Sequence, residues 1–465
     1  MDTAECAMTE GSEATRSGGA PVRVTRRQIG RAGTAIIAVG VIGPLAAACG
    51  PRQEGGAQAP KLTGQPVKLV VMTAQSQGAV DRDKKIADML RAKHPQIEIE
   101  FEMPKADRHV EYPVRLAAGA APDMVFLNNG FWRQYARQGA FLKLDPFVRR
   151  DIKLDEYFPS FIQSAKYRDS FYGWGALAGA SVALYYNKDL FDQAGLKYPD
   201  ESWTWQTFVD TAARLTVDDQ GRRLGSAGFE PENIRIYGAD TIVDWRWDMV
   251  VEEEAGDILR PGGTRSNLDH PDALAALQWM SDATGRGMWP SVRYPNEKKA
   301  SFTAGNMAMQ VQLSGYALGA ARQITFRWDV APLPRGKQAR FTFGWWAPIL
   351  ASASTRYPAE CWEFIKVMGG PEGQRYYMEN NGWLPAIKRL VDEQVWLKDV
   401  PINKKVFYAG KADWRPQPAE KIVPSSEYAK ILDPALKKIW LGEATAKQAI
   451  GEVIDQLNRL LADNS

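Results

Sequence analysis

The chain has 465 residues, 58 Lys and Arg against 55 Asp and Glu, and a net charge of +3 with 24 % charged residues. That balance excludes a nucleic-acid binder or a charged disordered tail by composition. Its three cysteines, Cys6, Cys49 and Cys361, are too few for a disulfide framework, whereas 16 tryptophans suit a ligand with flat apolar faces.

In chain order, Arg26, Arg27 and Arg31 precede the apolar run Ala32 to Cys49 (AGTAIIAVGVIGPLAAAC). A cationic start, a short apolar stretch and a small-residue end form the pattern of an export signal. Gly33, Gly40, Gly43 and Pro44 interrupt the run as a spanning helix, although an uncleaved anchoring helix is the alternative. Cys49 after Ala46-Ala47-Ala48 resembles the lipobox cysteine of bacterial lipoproteins, with Ala46 standing where Leu is usual. The resemblance implies cleavage before Cys49, lipidation of its thiol and a folded body outside the cytoplasm. Thr25-Arg26-Arg27 resembles a twin-arginine signal, but Ile29-Gly30 lacks the usual apolar pair, so the export route stays open. Residues 1–48 are therefore read as a signal peptide, and 49–66, rich in Gly, Pro and Gln, as a flexible tether.

Val67 to Met72 is a β-branched strand, and Asp81 to Lys93 carries Ile86, Met89 and Leu90 at helical spacing. Ile97 to Phe101 alternates as a strand, Val110 to Ala118 is helical, and Met124 to Leu127 is a fully apolar strand. That alternation predicts an α/β domain with a mainly parallel sheet. A helix follows over Phe131 to Gln138, with Gly139 as its cap. Further on, Val182 to Tyr186 reads as a strand, Asp189 to Ala194 and Trp205 to Leu215 as helices, and Asp218 to Gly221 as a solvated turn. Ala273 to Thr284 is helical, Ala308 to Val311, Trp328 to Leu333 and Phe341 to Ala351 are strands, and Pro358 to Met368 is a helix that buries Cys361. Two helices joined near Gly442 end the chain.

Several strings in this order resemble the carbohydrate-uptake (ABC-importer) class of bacterial extracellular solute-binding proteins, family 1, akin to maltose-binding protein, in lipoprotein form. They are AAGAAPDMVFLNNGFWRQYARQGAFLKL (Ala117 to Leu144), ALYYNKDLFDQAG (Ala183 to Gly195), Ser202 to Trp205, FTAGNMAM (Phe302 to Met309), VAPLP (Val330 to Pro334), Ala359 to Gly373 and Gly382 to Pro385. The resemblance spans nearly all of the mature chain. It implies an α/β, two-lobe periplasmic-binding-protein-like fold (type II), each lobe a mainly parallel sheet flanked by helices, with the ligand cleft between. Lobe one is expected over 67–178 and 339–386, and lobe two over 179–338 and 387–465. Hinge crossings are expected near Gly175 to Ala180 and Arg335 to Arg340.

A sugar needs hydrogen-bonding groups at its rim and aromatic faces above and below. Asn128 and Asn129 end a strand where a parallel sheet presents its loops, and Trp132 follows. By resemblance this loop supplies polar contacts, but Gly130 and Phe131 cannot supply the family's charged ones. Trp245 and Trp247, two apart, share one face if extended. By resemblance Trp247 and Tyr316 fall near sugar-stacking aromatics. Trp345 and Trp346 point to opposite sides of a strand, so one of them suits the cleft. Trp174, Thr73 and Ser76 complete the candidate list. Core packing is the competing role for every ring, and turn chemistry for the Asn pair.

An exported, lipid-anchored glycoside hydrolase would need two carboxylates about 5 to 10 Å apart. Asp123, Asp244 and Asp248 form no such pair by spacing, and Asp123 fits a structural Pro-Asp turn. No G-x-S-x-G, H-E-x-x-H or phosphate loop is present, and His94, His109 and His270 are scattered. A same-fold binder of a non-sugar solute is the second competing reading. The sequence thus points to a monomeric binding protein, not an enzyme, with no cofactor, metal or nucleic acid. It would be anchored outside the cytoplasmic membrane by Cys49, and would deliver a carbohydrate to ABC permease subunits and their cytoplasmic ATPase.

Overall fold

In a computed structural model, the described residues are 58–73, 77–291, 300–340, 345–381, 383–393, 403, 405–409 and 425–464. Cys49 and Ser76 lie outside them. The principal strands are β1 (Val67–Met72), β2 (Ile97–Glu102), β3 (Met124–Phe126), β4 (Gly173–Ala180), β5 (Val182–Asn187), β6 (Met309–Leu313), β7 (Trp328–Ala331) and β8 (Trp345–Ala351).

Strand β1 pairs in parallel with both β2 and β3. Parallel neighbours need crossovers, which α1 (Gln77–Lys93) and α2 (Arg108–Ala117) provide. On α1 the buried residues Ala79, Asp83, Ile86, Ala87 and Leu90 form one helical face. The Asp107 carboxylate starts α2 by accepting from the His109 amide at 2.7 Å. Helix α3 (Asn129–Arg137) follows β3, and Gly139 beyond it takes φ +77°, a conformation that favours glycine. The first sheet has the order β2-β1-β3-β8-β4. Its last two strands are antiparallel to their neighbours, so the sheet is mixed.

From β4 the chain passes through Ser181 into β5 and a second sheet, β6-β5-β7. The expectation of a mainly parallel sheet fails here, because β5 is antiparallel to both neighbours. The cause is the entry from the first sheet. Strand β5 runs away from the crossing at Ser181, while β6 runs back toward it and ends with Leu313 opposite Val182. Parallel sense survives only between β6 and β7, on either side of β5.

Helices α4 (Trp205–Leu215), α5 (Trp247–Ala255), α6 (Pro271–Gly285), α7 (Ser314–Ala321), α8 (Pro358–Gly369), α9 (Ser425–Leu441) and α10 (Ala446–Asn464) complete the frame. The apolar faces of α4, α5, α6, α9 and α10 share one core with β6 and the outer face of β5. Asn187, in the Tyr-Asn-Lys-Asp string, caps the helix Lys188–Gln193 through the Leu190 amide at 3.2 Å. Helix α8 packs on the first sheet and buries Cys361 completely. The segment around 387 differs from its expected lobe. Ala386 accepts from the Phe158 amide at 3.0 Å, Ile387 bridges Tyr157, and Leu390 is buried. The chain is therefore still packed on the first lobe there. Among the described residues no helix is long and apolar enough to cross a membrane.

Candidate functional site

Helix α1 carries the chain from β1 to β2 on one side, and β3 lies on the other side of β1. Such a reversal, at the carboxyl ends of β1 and β3, is where α/β sheets bind ligands. Thr73 follows β1 at this point but is buried, and its Oγ1 donates to Asp83 Oδ2 at 3.1 Å. Asp83 also accepts from Tyr377 Oη at 2.9 Å and Arg82 Nε at 3.0 Å, so the Thr73 hydroxyl anchors the strand end. Asn128 follows β3, half-buried, and its Oδ1 accepts from Arg108 Nη2 at 2.9 Å. Beside Arg108, the His109 ring stacks on Phe131 with centroids 4.0 Å apart and planes 22° apart. Neither His109 nitrogen has a hydrogen-bond partner among the described residues. Burial, and then the Arg108 charge, lower its pKa to about 4, which leaves the imidazole neutral. Gly130 and Phe131 carry no charge, and the charged side chain beside Asn128 is Arg108 from α2.

Trp132 and Trp174 each have no accessible surface. Trp132 packs against Tyr172, with the Arg133 guanidinium 4.8 Å over its ring. Trp174 meets Tyr157, Phe161 and Phe171 edge-on at 4.9, 5.1 and 5.8 Å. The backbone of Trp345 and Trp346 opens β8, with Trp345 opposite Ala180 near the crossing. The side chains of these two residues and of Asn129 lie outside the described set.

The other candidates belong to the second lobe. Strand β6 ends at the crossing, where the Ser314 amide donates to Ser181 O at 2.8 Å. Helix α7 starts there and carries Tyr316, partly buried and edge-on to Tyr185 at 5.4 Å. Burial pushes the Tyr316 hydroxyl up to about 12. The expectation that Trp245 and Trp247 share a strand face is corrected. Trp245 lies in a turn and Trp247 opens α5, because the Trp247 amide bonds Asp244 O at 3.2 Å and winds the chain. Both rings are partly buried at the edge of the second core.

Arg246, which the sequence reading passed over, ties this part of the second lobe together while only 2 % exposed. Its Nη2 donates to Asp240 at 2.8 Å, and its Nη1 donates to Asp244 at 2.6 Å and to Thr241 O at 2.8 Å. The guanidinium also lies 4.5 Å over the Trp245 ring. Gln310 Nε2 joins β6 to the cluster through Asp240 at 3.2 Å. Burial, reinforced by the Asp240 charge and opposed by Arg246, raises Asp244 to about 6. Arginine two residues after an aspartate was the available signal, but nothing in the spacing announces Asp240 or Gln310 as partners.

Other acidic candidates are structural. Asp123 accepts from the Val70 amide at 3.0 Å and Thr355 Oγ1 at 2.7 Å. Asp248 is buried and accepts from the Met249 amide at 2.8 Å. Asp218, expected in a solvated turn, is fully buried. It accepts from the Gln220 and Arg222 amides at 3.0 and 2.8 Å and pairs with Arg222 Nε at 2.7 Å, so arginine supplies its counter-charge. His94 faces Glu363 at 3.2 Å, and His270 caps α6. Among the described residues no three His, Cys, Asp or Glu side chains could hold a metal.

A model of the family described as bacterial extracellular solute-binding protein matches residues 85–404. The sn-glycerol-3-phosphate-binding periplasmic protein UgpB of Shigella dysenteriae is 24 % identical over 342 residues, covering 68 % of this chain and 74 % of that protein. The ABC substrate-binding protein Lmo0181 from Listeria monocytogenes, solved in complex with cycloalternan, superposes with a TM-score of 0.72 at 20 % identity, over 84 % of this chain and 98 % of that one. Maltose-bound MalE3 of T. maritima gives 0.69 at 20 % identity, over 84 % and 99 %. These likenesses establish the two-lobe α/β fold.

Proposed function

The chain belongs to the bacterial extracellular solute-binding protein family, and from that premise we propose that it is the sugar-capturing subunit of an ABC importer. It is a monomeric lipoprotein, held by Cys49 on the outer face of the cytoplasmic membrane. It takes a sugar or oligosaccharide into the crevice, breaks no bond in it, and presents it to the permease that the cytoplasmic ATPase drives. What supports this reading is the reversal of strand order in the first sheet, where α/β sheets bind ligands, and we assign Asp240, Asp244, Trp245 and Tyr316 of the second lobe to the wall that faces it. Polar rims with adjacent rings suit a molecule with hydroxyl edges and C–H faces. Similar proteins solved with maltose and with cycloalternan support the same ligand class.

In this reading Asn128, Asn129, Trp245, Trp247, Tyr316 and Ser76 contact the ligand, together with one of Trp345 and Trp346. Arg108 and His109 join them from α2. Trp132, Trp174 and Thr73 support the walls from behind. A ligand touching both lobes favours their closed arrangement, because it gains contacts there that it lacks when they are apart.

A thermal-shift screen with mono- and oligosaccharides, polyols, peptides and metals tests the reading. A ligand at about 100 times its dissociation constant adds about 2.7 kcal/mol, a rise of a few degrees. A shift with one sugar class, with the sugar recovered intact, is the expected result. Shifts with peptides or metals alone would overturn the sugar assignment, and a cleaved sugar would make the chain a hydrolase.

A further inference from the structure

We propose that the Asp240–Arg246–Asp244 cluster sets the specificity of the crevice, admitting ligands that donate hydroxyl protons and turning away phosphorylated or carboxylated ones. The inference rests on the carbohydrate reading and sharpens it to a charge class.

An exposed arginine on a cleft wall would ordinarily attract an anion through its forked donors. Arg246 is not available for that role. Nη1 and Nη2 are committed to Asp244, Thr241 O and Asp240, Trp245 covers the guanidinium at 4.5 Å, and Nε is buried. Gln310 Nε2 is likewise directed at Asp240. The carboxylates are the accessible members. The side chains of Asp240 and Asp244 keep 17 % and 35 % of their surface, against 2 % for Arg246. An arriving ligand therefore meets carboxylate oxygens, held in place by a guanidinium it cannot reach.

Two acids against one base also leave this wall with one net negative charge at neutral pH. A ligand hydroxyl donates into such an oxygen as a charge-assisted hydrogen bond. A phosphate or carboxylate brings like charge and no donor, which weakens its binding at a partly desolvated site. Arg246 is thus a positioning residue, and Asp240 and Asp244 are the discriminating ones.

The test is calorimetric titration of the purified protein at pH 7.5 with three matched pairs. These are glucose and glucose 6-phosphate, trehalose and trehalose 6-phosphate, and glycerol and sn-glycerol 3-phosphate. In any pair that binds, the phosphorylated member is expected to bind at least about tenfold more weakly. Asp244→Asn and Asp240→Asn are expected to narrow that gap while weakening the neutral member. Equal or tighter binding of the phosphorylated member, as would follow if Arg108 received the phosphate, overturns the proposal. So does a gap that both variants leave unchanged. If the variants fail to fold, the wild-type ratio decides alone. Silence from all six compounds sinks this inference, while the carbohydrate reading stands or falls by the thermal-shift screen.

Discussion

The first wall of the crevice takes its positions from backbone topology, whereas the second takes them from a side-chain ion cluster. Asn128 stands where it does because β3 ends there, at the reversal of strand order, and α2 begins close enough for Arg108 to bond it. On the second wall, Asp240 and Asp244 are held by one buried guanidinium, and Gln310 from a distant strand bonds Asp240. A wall fixed by strand ends tolerates the loss of a side chain. One fixed by a buried charge does not, because removing the charge strands its partners.

The largest effect separates the rings behind the crevice from those on it. Trp174→Ala deletes a fully buried ring packed on three aromatics, and is expected to cost about 4 kcal/mol in urea unfolding. Trp245→Ala, at the edge of the second core, should spare most of that stability and weaken sugar binding about tenfold. A Trp174 variant that stays stable but binds weakly would reverse these roles. Next in size, Arg246→Met leaves Asp240 and Asp244 side by side without their cation. An expected loss of about 3 kcal/mol is to be compared with Arg108→Met, which should lose under about 1 kcal/mol; equal losses would erase the difference between the walls.

The walls also respond to acid with opposite sign. His109 has its folded pKa lowered to about 4 from 6.5, so the unfolded chain binds the extra proton first, and stability falls as pH drops from about 6.5 toward 4. Asp244 is raised to about 6 from 3.8, so the fold binds the extra proton, and stability falls as pH rises from about 4 through 6. Melting curves across pH 4.5 to 7 should show His109→Gln gaining relative stability on the acid side, by about 1 to 2 kcal/mol. Asp244→Asn should gain on the neutral side by under about 1 kcal/mol, because the carboxyl is partly screened by water. Slopes of the same sign for both variants would show that one assignment is wrong.

Much of the frame was legible in the chain. Apolar and β-branched runs marked β1, β2, β3 and β5, and alternating strands and helices marked the parallel start of the first sheet. The Gly139 terminus was visible as local chemistry. The antiparallel second sheet was not, because strand direction depends on where the chain enters from the first sheet. Likewise, nothing local distinguished the core rings Trp132 and Trp174 from Trp245, since burial is a property of what packs around a ring. The turn at 244–247 was not legible either, because two tryptophans two apart share one face only if the chain there is extended. A backbone bond to Asp244 wound it into the start of α5 instead.

The sequence by itself determined what depends on neighbours along the chain. This includes the alternation of elements, the caps and turns, the placement of Asn128 after an apolar strand, and the family to which the ordered strings point. Tertiary structure alone decided what depends on neighbours across space: the sense of β5, the continued packing of residues near 387 on the first lobe, and the arginine clamp on two carboxylates. The physical reason is range. Propensity, capping and periodicity act over a few residues, whereas burial and charge pairing are set by elements that meet only when the chain has folded.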